Sequence, residues 1–179
     1  YDLPTYLDND ANVATLGEYK FGAGKGTENM IYMTVSTGIG GGAILNGKIF
    51  RGSTGNALEI GHTTISQERT RCGCGNIGCA ESLASGTAIG KRAKEAGNSN
   101  AETSLKNYDD VTSKEVFMEA AKGDRVAKEI LNTSLTYLGI TVKYAPTTKM
   151  EVSPIDGITR KGLPNTHVAP FINQTDTTS

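Results

Sequence analysis

Residues 30–51 read MIYMTVSTGIGGGAILNGKIFR, and this stretch decides the fold of the 179-residue chain. It opens with a near-continuous apolar run at 30–35, which is typical of a buried strand. A glycine-rich segment at 36–42 follows, then a second apolar run and the dipeptide Asn46-Gly47. Asn-Gly between two apolar runs is a strong signal for a hairpin. The stretch therefore predicts an antiparallel meander of three strands, the last at residues 48–51.

Helical patterns flank this meander. Asn9 and Asp10 are favoured N-cap residues and predict a helix from there to Tyr19. Downstream, apolar residues at helical spacing predict three more helices. These are a helix at 81–96, one opened by the capping box Thr112-x-x-Glu115, and one that follows Asp124 and continues through Leu138. Strands mixed with helices predict an α/β fold.

The two ends of the chain and one linker lack such patterns. Residues 1–8 are predicted to be a strand arriving from an upstream segment. A chain that begins at Tyr1 without Met is also expected to be a fragment. Residues 97–110 form a predicted polar linker. Residues 145–179 hold four of the five prolines and many threonines, which predicts a tail that is loop-rich, partly disordered or not native to the fold. The predicted division is a domain at 1–144 and this tail.

Composition excludes several classes of partner. Eighteen Lys and Arg against nineteen Asp and Glu give a net charge of −1, which disfavours bulk binding to nucleic acid or an anionic membrane. No apolar run approaches the roughly 18 residues that a membrane helix needs, and no charged-then-apolar leader opens the chain. We therefore expect a cytoplasmic protein with no membrane partner.

Most of the 22 glycines and all three cysteines lie between Gly22 and Gly90. Three cysteines cannot form a complete set of disulfides within one chain, and crowded thiols in a chain without an export signal favour metal ligation. His62, Cys72, Cys74 and Cys79 offer the three thiolates and one imidazole of a closed tetrahedral zinc site. The alternatives are three unrelated buried cysteines, or a nucleic-acid-binding zinc knuckle. The scarcity of basic and aromatic residues nearby disfavours the knuckle, so we predict structural zinc.

The glycine-rich segment from Thr37 to Gly42 exposes backbone N–H groups with no side chains over them. Such a nest can bind phosphate. It lacks the Gly-Lys-Ser/Thr of a Walker loop, and a strand rather than a dinucleotide-binding helix is predicted to follow it. A tight hairpin that merely requires glycine explains the same residues, and the segment alone leaves both readings open.

Three carboxylates are candidates for chemistry. Asp10, at a helix N-terminus, is either an ordinary cap or a proton acceptor for a hydroxyl group. Glu59 and Glu81 flank the predicted zinc site. They are either solvated surface charges or acceptors of hydrogen bonds from the hydroxyls of a polyol.

Five motifs in order resemble the ROK family, which comprises bacterial and archaeal sugar kinases and sugar-responsive repressors. The resemblance covers residues 1 to about 145. The motifs are Asn9-Asp10-Ala11-Asn12, Thr37-Gly38-Ile39-Gly40-Gly41-Gly42, Gly47-Lys48 with Arg51-Gly52, Glu59-Ile60-Gly61-His62, and Cys72-Gly-Cys-Gly-x-x-Gly-Cys-x-Glu81.

The resemblance implies an actin-like, ribonuclease-H-like ATPase fold, with this chain forming mostly the larger C-terminal domain of a two-domain kinase. Asp10 would be the general base that deprotonates the sugar hydroxyl. Magnesium would accompany ATP, and a homodimer or higher homo-oligomer is expected. The implied sugar ligands are Asn9, Asp10, Glu59, His62 and Glu81; the implied ligands of the ATP phosphates are Thr37, Gly38, Gly40 and Gly41.

The sequence also departs from the family pattern. The first phosphate loop, Asp-x-Gly-Gly-Thr, is absent, and no glycine triplet follows residue 149. Leu58 and Ser36 stand where the family usually has glycine. The leading hypothesis is the C-terminal part of a glucokinase-like, ATP-dependent hexose kinase, inactive by itself if the first loop is required. The alternatives are the effector domain of a repressor, which would bind nucleic acid only through an upstream helix-turn-helix, and a zinc-stabilised remnant that binds sugar or nothing.

Overall fold

A computed structural model describes residues 3–144 and 149–153 of the chain. The strands are β1 (Met30–Val35), β2 (Ile39–Leu45), β3 (Lys48–Phe50) and β4 (Lys149–Ser153). The helices are α1 (Asp10–Phe21), α2 (Ala80–Ala84), α3 (Gly86–Gly97), α4 (Ser113–Lys122) and α5 (Arg125–Tyr144). Two short 3-10 helices lie at Ile60–His62 and Ser104–Asn107.

The four strands form one sheet in the order β3-β2-β1-β4. β1 and β2 are antiparallel, with Val35 opposite Ile39, and β2 pairs with β3 in the same sense. The predicted meander is therefore confirmed. β4 pairs with β1 in parallel, so the tail that was predicted to be loop-rich contains one strand of five residues. The rest of the 145–179 tail lies outside the described residues, and the boundary at 144 stays a prediction.

Helices cover both faces of the sheet, because successive side chains of β1 point in opposite directions. On one face, the buried residues Met33 and Val35 pack with residues of α2 and α5. On the other face, Met30 and Tyr32 pack with residues of α1. A further apolar core joins α3, α4 and α5 away from the sheet. The fold is mixed α/β, as predicted.

Two local predictions are wrong. Residues 3–9 have no regular secondary structure, so the strand predicted at 1–8 is absent from its described part. The helix predicted at 81–96 is divided at Ser85, whose backbone N–H donates to Glu81 O at 3.1 Å and ends α2. The Ser85 hydroxyl then accepts from the Ala88 backbone N–H at 3.2 Å and caps α3. One small polar residue therefore ends one helix and begins the next.

The later helices follow the sequence. Thr112 and Glu115 form the predicted capping box of α4. Asp124 precedes α5, and its Oδ1 accepts from the Ala127 backbone N–H at 2.9 Å. The polar linker at 97–110 carries one buried anchor, Leu105. Among the residues with described structure, no helix is both long enough and apolar enough to cross a membrane.

Candidate functional site

The glycines of β2 allow other elements to approach both faces of this strand. Within the glycine-rich segment at 36–42, only residues 36–38 form the turn, since β2 already begins at Ile39. A Cβ on Gly42 would collide with Thr15 Oγ1 of α1, and one on Gly41 would lie 3.0 Å from Ile60 Cγ2. Close packing thus explains these two glycines without any ligand.

Asn9 and Asp10 lie exposed at the start of α1. The Asn9 side chain is the N-cap, and its Oδ1 accepts from the backbone N–H groups of Ala11 at 2.9 Å and Asn12 at 3.3 Å. Asp10 is the first residue of the helix, and its Oδ1 also accepts from the Ala11 backbone N–H at 2.8 Å. Asn9 therefore caps two N–H groups of the first turn, and the Asp10 carboxylate, although it shares one of them, is accessible because the side chain is exposed.

A polar network that the sequence analysis missed fixes the start of α1 to the loop before Glu59. The buried Asn12 side chain donates to Asp8 Oδ1 at 3.1 Å and to the Gly55 carbonyl at 3.3 Å. Arg51 Nε donates to Asp8 Oδ2 at 2.8 Å, and this contact lowers the pKa of Asp8. Asn12 and Arg51 both belong to the family motifs given above, and this membership was the sequence signal that could have indicated the network.

His62 sits at the end of a 3-10 turn that presses against the first residue of β2. The His62 backbone N–H donates to Glu59 O at 3.0 Å, and a Cβ on Gly61 would collide with the Ile39 carbonyl. The imidazole Nε2 lies 4.0 Å from Glu59 Oε2. Leu58, just before this turn, has a backbone φ of +60°. Glu59 and His62 therefore present polar atoms to the same space.

The four predicted zinc ligands come together. His62 Nδ1 is 3.5 Å from Cys72 Sγ, Cys74 Sγ is 3.7 Å from Cys79 Sγ, and one ligand atom from each residue lies within 4.8 Å of all the others. A tetrahedral zinc ion with bonds of about 2.3 Å to sulfur and about 2.0 Å to nitrogen requires ligand separations of about 3.5–3.8 Å. The donor set and these two separations therefore fit zinc.

The backbone around these ligands is shaped for a compact knuckle. The Cys72 backbone N–H donates to the Asn76 carbonyl at 2.9 Å, and Gly75 and Gly78 adopt positive φ angles of 95° and 71°. Burial raises the pKa of the Cys79 thiol to about 12, with Cys74 and Cys72 adding to the effect. Without a cation this thiol stays protonated near neutral pH, whereas a bound dication would favour the thiolate.

Glu81, in the first turn of α2, contacts both the knuckle and the glycine turn. Its Oε2 accepts from the Ile39 backbone N–H at 3.0 Å, and its Oε1 lies 4.0 Å from Cys72 Sγ. The Ser36 backbone N–H donates to the Gly38 carbonyl at 2.9 Å. The Ser36 and Ile39 N–H groups are therefore not available to a phosphate while these bonds persist. Fewer backbone N–H groups than predicted can then bind a phosphate at this turn.

A cavity of about 550 Å³ opens beside the turn. The N-terminus of α3 forms one wall, held by hydrogen bonds from Gly86 N–H to the Ser36 carbonyl at 2.8 Å and from Thr87 N–H to the Thr37 carbonyl at 3.3 Å. The segment leading into α4 forms the other wall. The lining residues are Ser36, Thr37, Gly86, Thr87, Gly90, Lys91, Lys94, Asp110, Val111, Thr112 and Ser113.

The predicted site residues thus fall into adjoining groups around the N-terminal half of β2. The zinc ligands lie together, with Glu59 facing His62 and Glu81 facing Cys72. Asn9 and Asp10 lie on α1, whose Ala11 packs near Gly40, since a Cβ on Gly40 would be 3.4 Å from Ala11 Cβ. Thr37 and Gly38 form the turn, whereas Gly40 and Gly41 lie inside β2. The arrangement can hold a metal ion and offers carboxylates to a polyol.

Comparison with known proteins identifies relatives of two kinds. The family model described as "ROK family" matches residues 1–149. A glucokinase of Halalkalibacterium halodurans is 42% identical over 145 residues, covering 78% of this chain and 44% of the relative. A xylose repressor of Caldicellulosiruptor bescii is 38% identical over 145 residues, covering 79% and 36%. The chain thus spans less than half the length of either relative.

Solved structures agree with this result. The crystal structure of a ROK family glucokinase from Streptomyces griseus, in complex with glucose and AMPPNP, matches with a TM-score of 0.68 and 37% identity. The match covers 78% of this chain and 47% of that one. The actin-like ATPase fold implied by the sequence motifs is therefore confirmed.

Proposed function

The chain belongs to the ROK family, and from that premise we propose that it is part of a glucokinase-like kinase that transfers the γ-phosphoryl group of MgATP to a hexose hydroxyl. The observation that carries the proposal is the convergence of three groups on β2. The helix bearing the accessible Asp10 carboxylate, the turn bearing His62, and the Glu81 carboxylate all pack against residues 39–42.

Asp10 is the proposed general base. Its carboxylate accepts the proton of the hexose hydroxyl as that oxygen attacks the γ-phosphorus in line, and ADP leaves. The exposed position of Asp10 on the first turn of α1 supports this role, because the neighbouring Asn9 already caps the helix. The Asp10 Oδ1 also accepts from the Ala11 backbone N–H at 2.8 Å, but the side chain stays exposed, so a substrate can still reach the carboxylate.

Asn9, Glu59, His62 and Glu81 are the proposed partners of the other hexose hydroxyls. His62 Nδ1 faces the cysteines while Nε2 faces Glu59, so Nε2 can carry the proton and donate to a sugar oxygen. When bound by His62, Cys72, Cys74 and Cys79, zinc would act structurally by fixing this tautomer and ring orientation. Glu59 and Glu81 accept hydrogen bonds from hydroxyls.

Thr37 and Gly38 are the proposed ligands of the ATP phosphates, since they form the turn itself. Gly40 and Gly41, inside β2, contribute by keeping that strand free of side chains. The cavity between α3 and the segment before α4 is the proposed place of the nucleoside half, because Ser36 and Thr37 line it directly beside the turn. Magnesium would accompany the phosphates.

Asp10→Asn tests the base assignment. Asparagine keeps the shape of the side chain but cannot take up the proton, so phosphorylation should fall by about a thousandfold or more, within the range for general-base catalysis combined with correct orientation. Hexose binding measured by calorimetry should change little. Wild-type turnover in this variant would contradict the role of Asp10.

A second candidate function is the sugar-sensing domain of a repressor, favoured by the 38% identity to the xylose repressor. The same hexose and zinc residues would serve, but turnover would be dispensable. Hexose binding without phosphorylation, together with sugar-dependent release from operator DNA, would favour this function. A cytoplasmic location and a homo-oligomeric state remain predictions, which cell fractionation and light scattering can check.

A further inference from the structure

One carboxylate joins the cysteine–histidine cluster to the turn at residues 36–38. Glu81 Oε2 accepts from the Ile39 backbone N–H at 3.0 Å, while Oε1 lies 4.0 Å from Cys72 Sγ. Gly38 is so close that a Cβ there would lie 2.5 Å from Oε2. The carboxylate is therefore packed against the turn as well as beside the metal ligands.

The location of Glu81 is set by the knuckle. Cys79 occupies the N-cap position of α2, and Glu81 follows it by two residues. The Ala80 backbone N–H donates to the Thr63 carbonyl at 3.0 Å, which fixes the start of α2 beside His62. A metal ion that holds Cys72, Cys79 and His62 together therefore also determines where the Glu81 side chain begins.

We infer that Glu81 is a positioning residue for the turn at 36–38, through which the zinc centre sets the affinity of the protein for nucleotide. This inference rests on the proposed function, in which Thr37 and Gly38 bind the phosphates of ATP. A carboxylate that accepts from a backbone N–H makes a stronger bond than a neutral acceptor does. Its loss would free the amide of Ile39, the residue that directly follows the turn.

Two substitutions separate this role from direct contact with a hexose. Glu81→Gln keeps an oxygen that can accept from the Ile39 N–H but removes the charge, whereas Glu81→Ala removes both. Losing one hydrogen bond to a charged group corresponds to about a tenfold effect. We therefore expect the Kd for MgAMPPNP to rise about tenfold in Glu81→Ala and at most about twofold in Glu81→Gln, with hexose binding weakened in both.

Glu59→Ala is the matched control. The Glu59 carboxylate faces His62 Nε2 rather than the turn, so its removal should weaken hexose binding and leave the Kd for MgAMPPNP unchanged. If Glu81→Ala binds MgAMPPNP as tightly as the native protein does, the inference is wrong, and the proposed kinase function is unaffected.

Hydrogen exchange at the Ile39 amide provides a readout that needs no ligand. In Glu81→Ala, exchange should accelerate at the Ile39 amide. Exchange at the Tyr32 amide, in the middle of β1, should stay unchanged in the same variant. Chelation of the metal, below the unfolding temperature, should accelerate Ile39 exchange in the native protein and add nothing in Glu81→Ala. An unchanged Ile39 rate in Glu81→Ala would overturn the inference. If the native protein binds neither hexose nor nucleotide, the proposed function fails, and the exchange rates alone decide the role of Glu81.

Discussion

Leu58 holds a backbone conformation that a leucine rarely adopts. Its φ of +60° lies in the left-handed region, which costs a residue with a Cβ about 1–2 kcal/mol. The strain is located where the chain turns towards Glu59 and His62, and the Leu58 carbonyl accepts from the Ile60 N–H at 2.7 Å. Glycine, which the resemblance to the family led us to expect here, would adopt this conformation without that cost.

A pair of substitutions at Leu58 tests the strain. Leu58→Ala and Leu58→Gly both remove the side chain that packs near Ile31 and Ala43, but only glycine relieves the backbone. We expect the glycine variant to have the larger free energy of unfolding, by about 1 kcal/mol. Urea denaturation at saturating zinc provides the measurement. An alanine variant as stable as the glycine variant would mean that residue 58 does not adopt this conformation in solution.

The sequence identified the site residues by type but not by all of their contacts. His62 and the three cysteines were predicted because their spacing matches a ligand set. Glu81 was predicted as a sugar ligand, yet its hydrogen bond to Ile39 joins residues 42 positions apart, and no local pattern signals such a contact. Asn12 was missed for the same reason, since its partner Gly55 is 43 positions away.

At the scale of elements, the helices were predicted where local signals agree. The capping box of α4 and the apolar spacing of α5 are local features. The division of the 81–96 helix is only partly local: Ser85 caps α3, but the Gly86 N–H donates to the Ser36 carbonyl, 50 positions earlier in the chain. β4 was missed because its pairing with β1 depends on a partner more than a hundred residues earlier.

The linker before α4 is held by a buried carboxylate. Glu119 accepts hydrogen bonds from Lys122 at 2.6 Å, Ser104 at 2.6 Å and Tyr108 at 2.7 Å. In that order of importance, these contacts hold the pKa of Glu119 at about 2. One ionised carboxylate in α4 thus joins the linker to this helix.

This network predicts an acid-sensitive element. Because the pKa of Glu119 is lowered on folding from the reference value of 4.5, its stabilising contribution is present above about pH 4.5 and is lost as the pH falls towards about 2. The free energy of unfolding should therefore fall with acidification across this range, less steeply in Glu119→Gln. Glu102→Gln, an exposed change in the same linker, should keep the native slope. Equal slopes in all three proteins would contradict the prediction.

At the scale of the whole molecule, the cysteine–histidine knuckle at residues 62–79 connects several elements of the fold. It connects the 3-10 turn at His62 to α2, and α2 packs with α5 against the sheet. The knuckle loop also reaches α5 directly, because the Tyr137 hydroxyl donates to Glu68 Oε2 at 2.7 Å. Losing the metal would therefore affect the packing of α2 and α5 on the sheet as well as the loop.

Metal removal should consequently lower the stability of the whole chain. Elemental analysis should find one zinc per chain, and chelation should lower the midpoint of thermal unfolding, with recovery on adding zinc but not magnesium, which prefers oxygen ligands. Cys72→Ser should lose the metal. Ile77→Ala, an exposed residue of the same loop that offers no metal ligand, should retain it. The four ligands hold the 3-10 turn at His62 beside α2, and α2 packs on the sheet. A native protein that unfolds at the same temperature with and without zinc would therefore contradict a structural role for the metal.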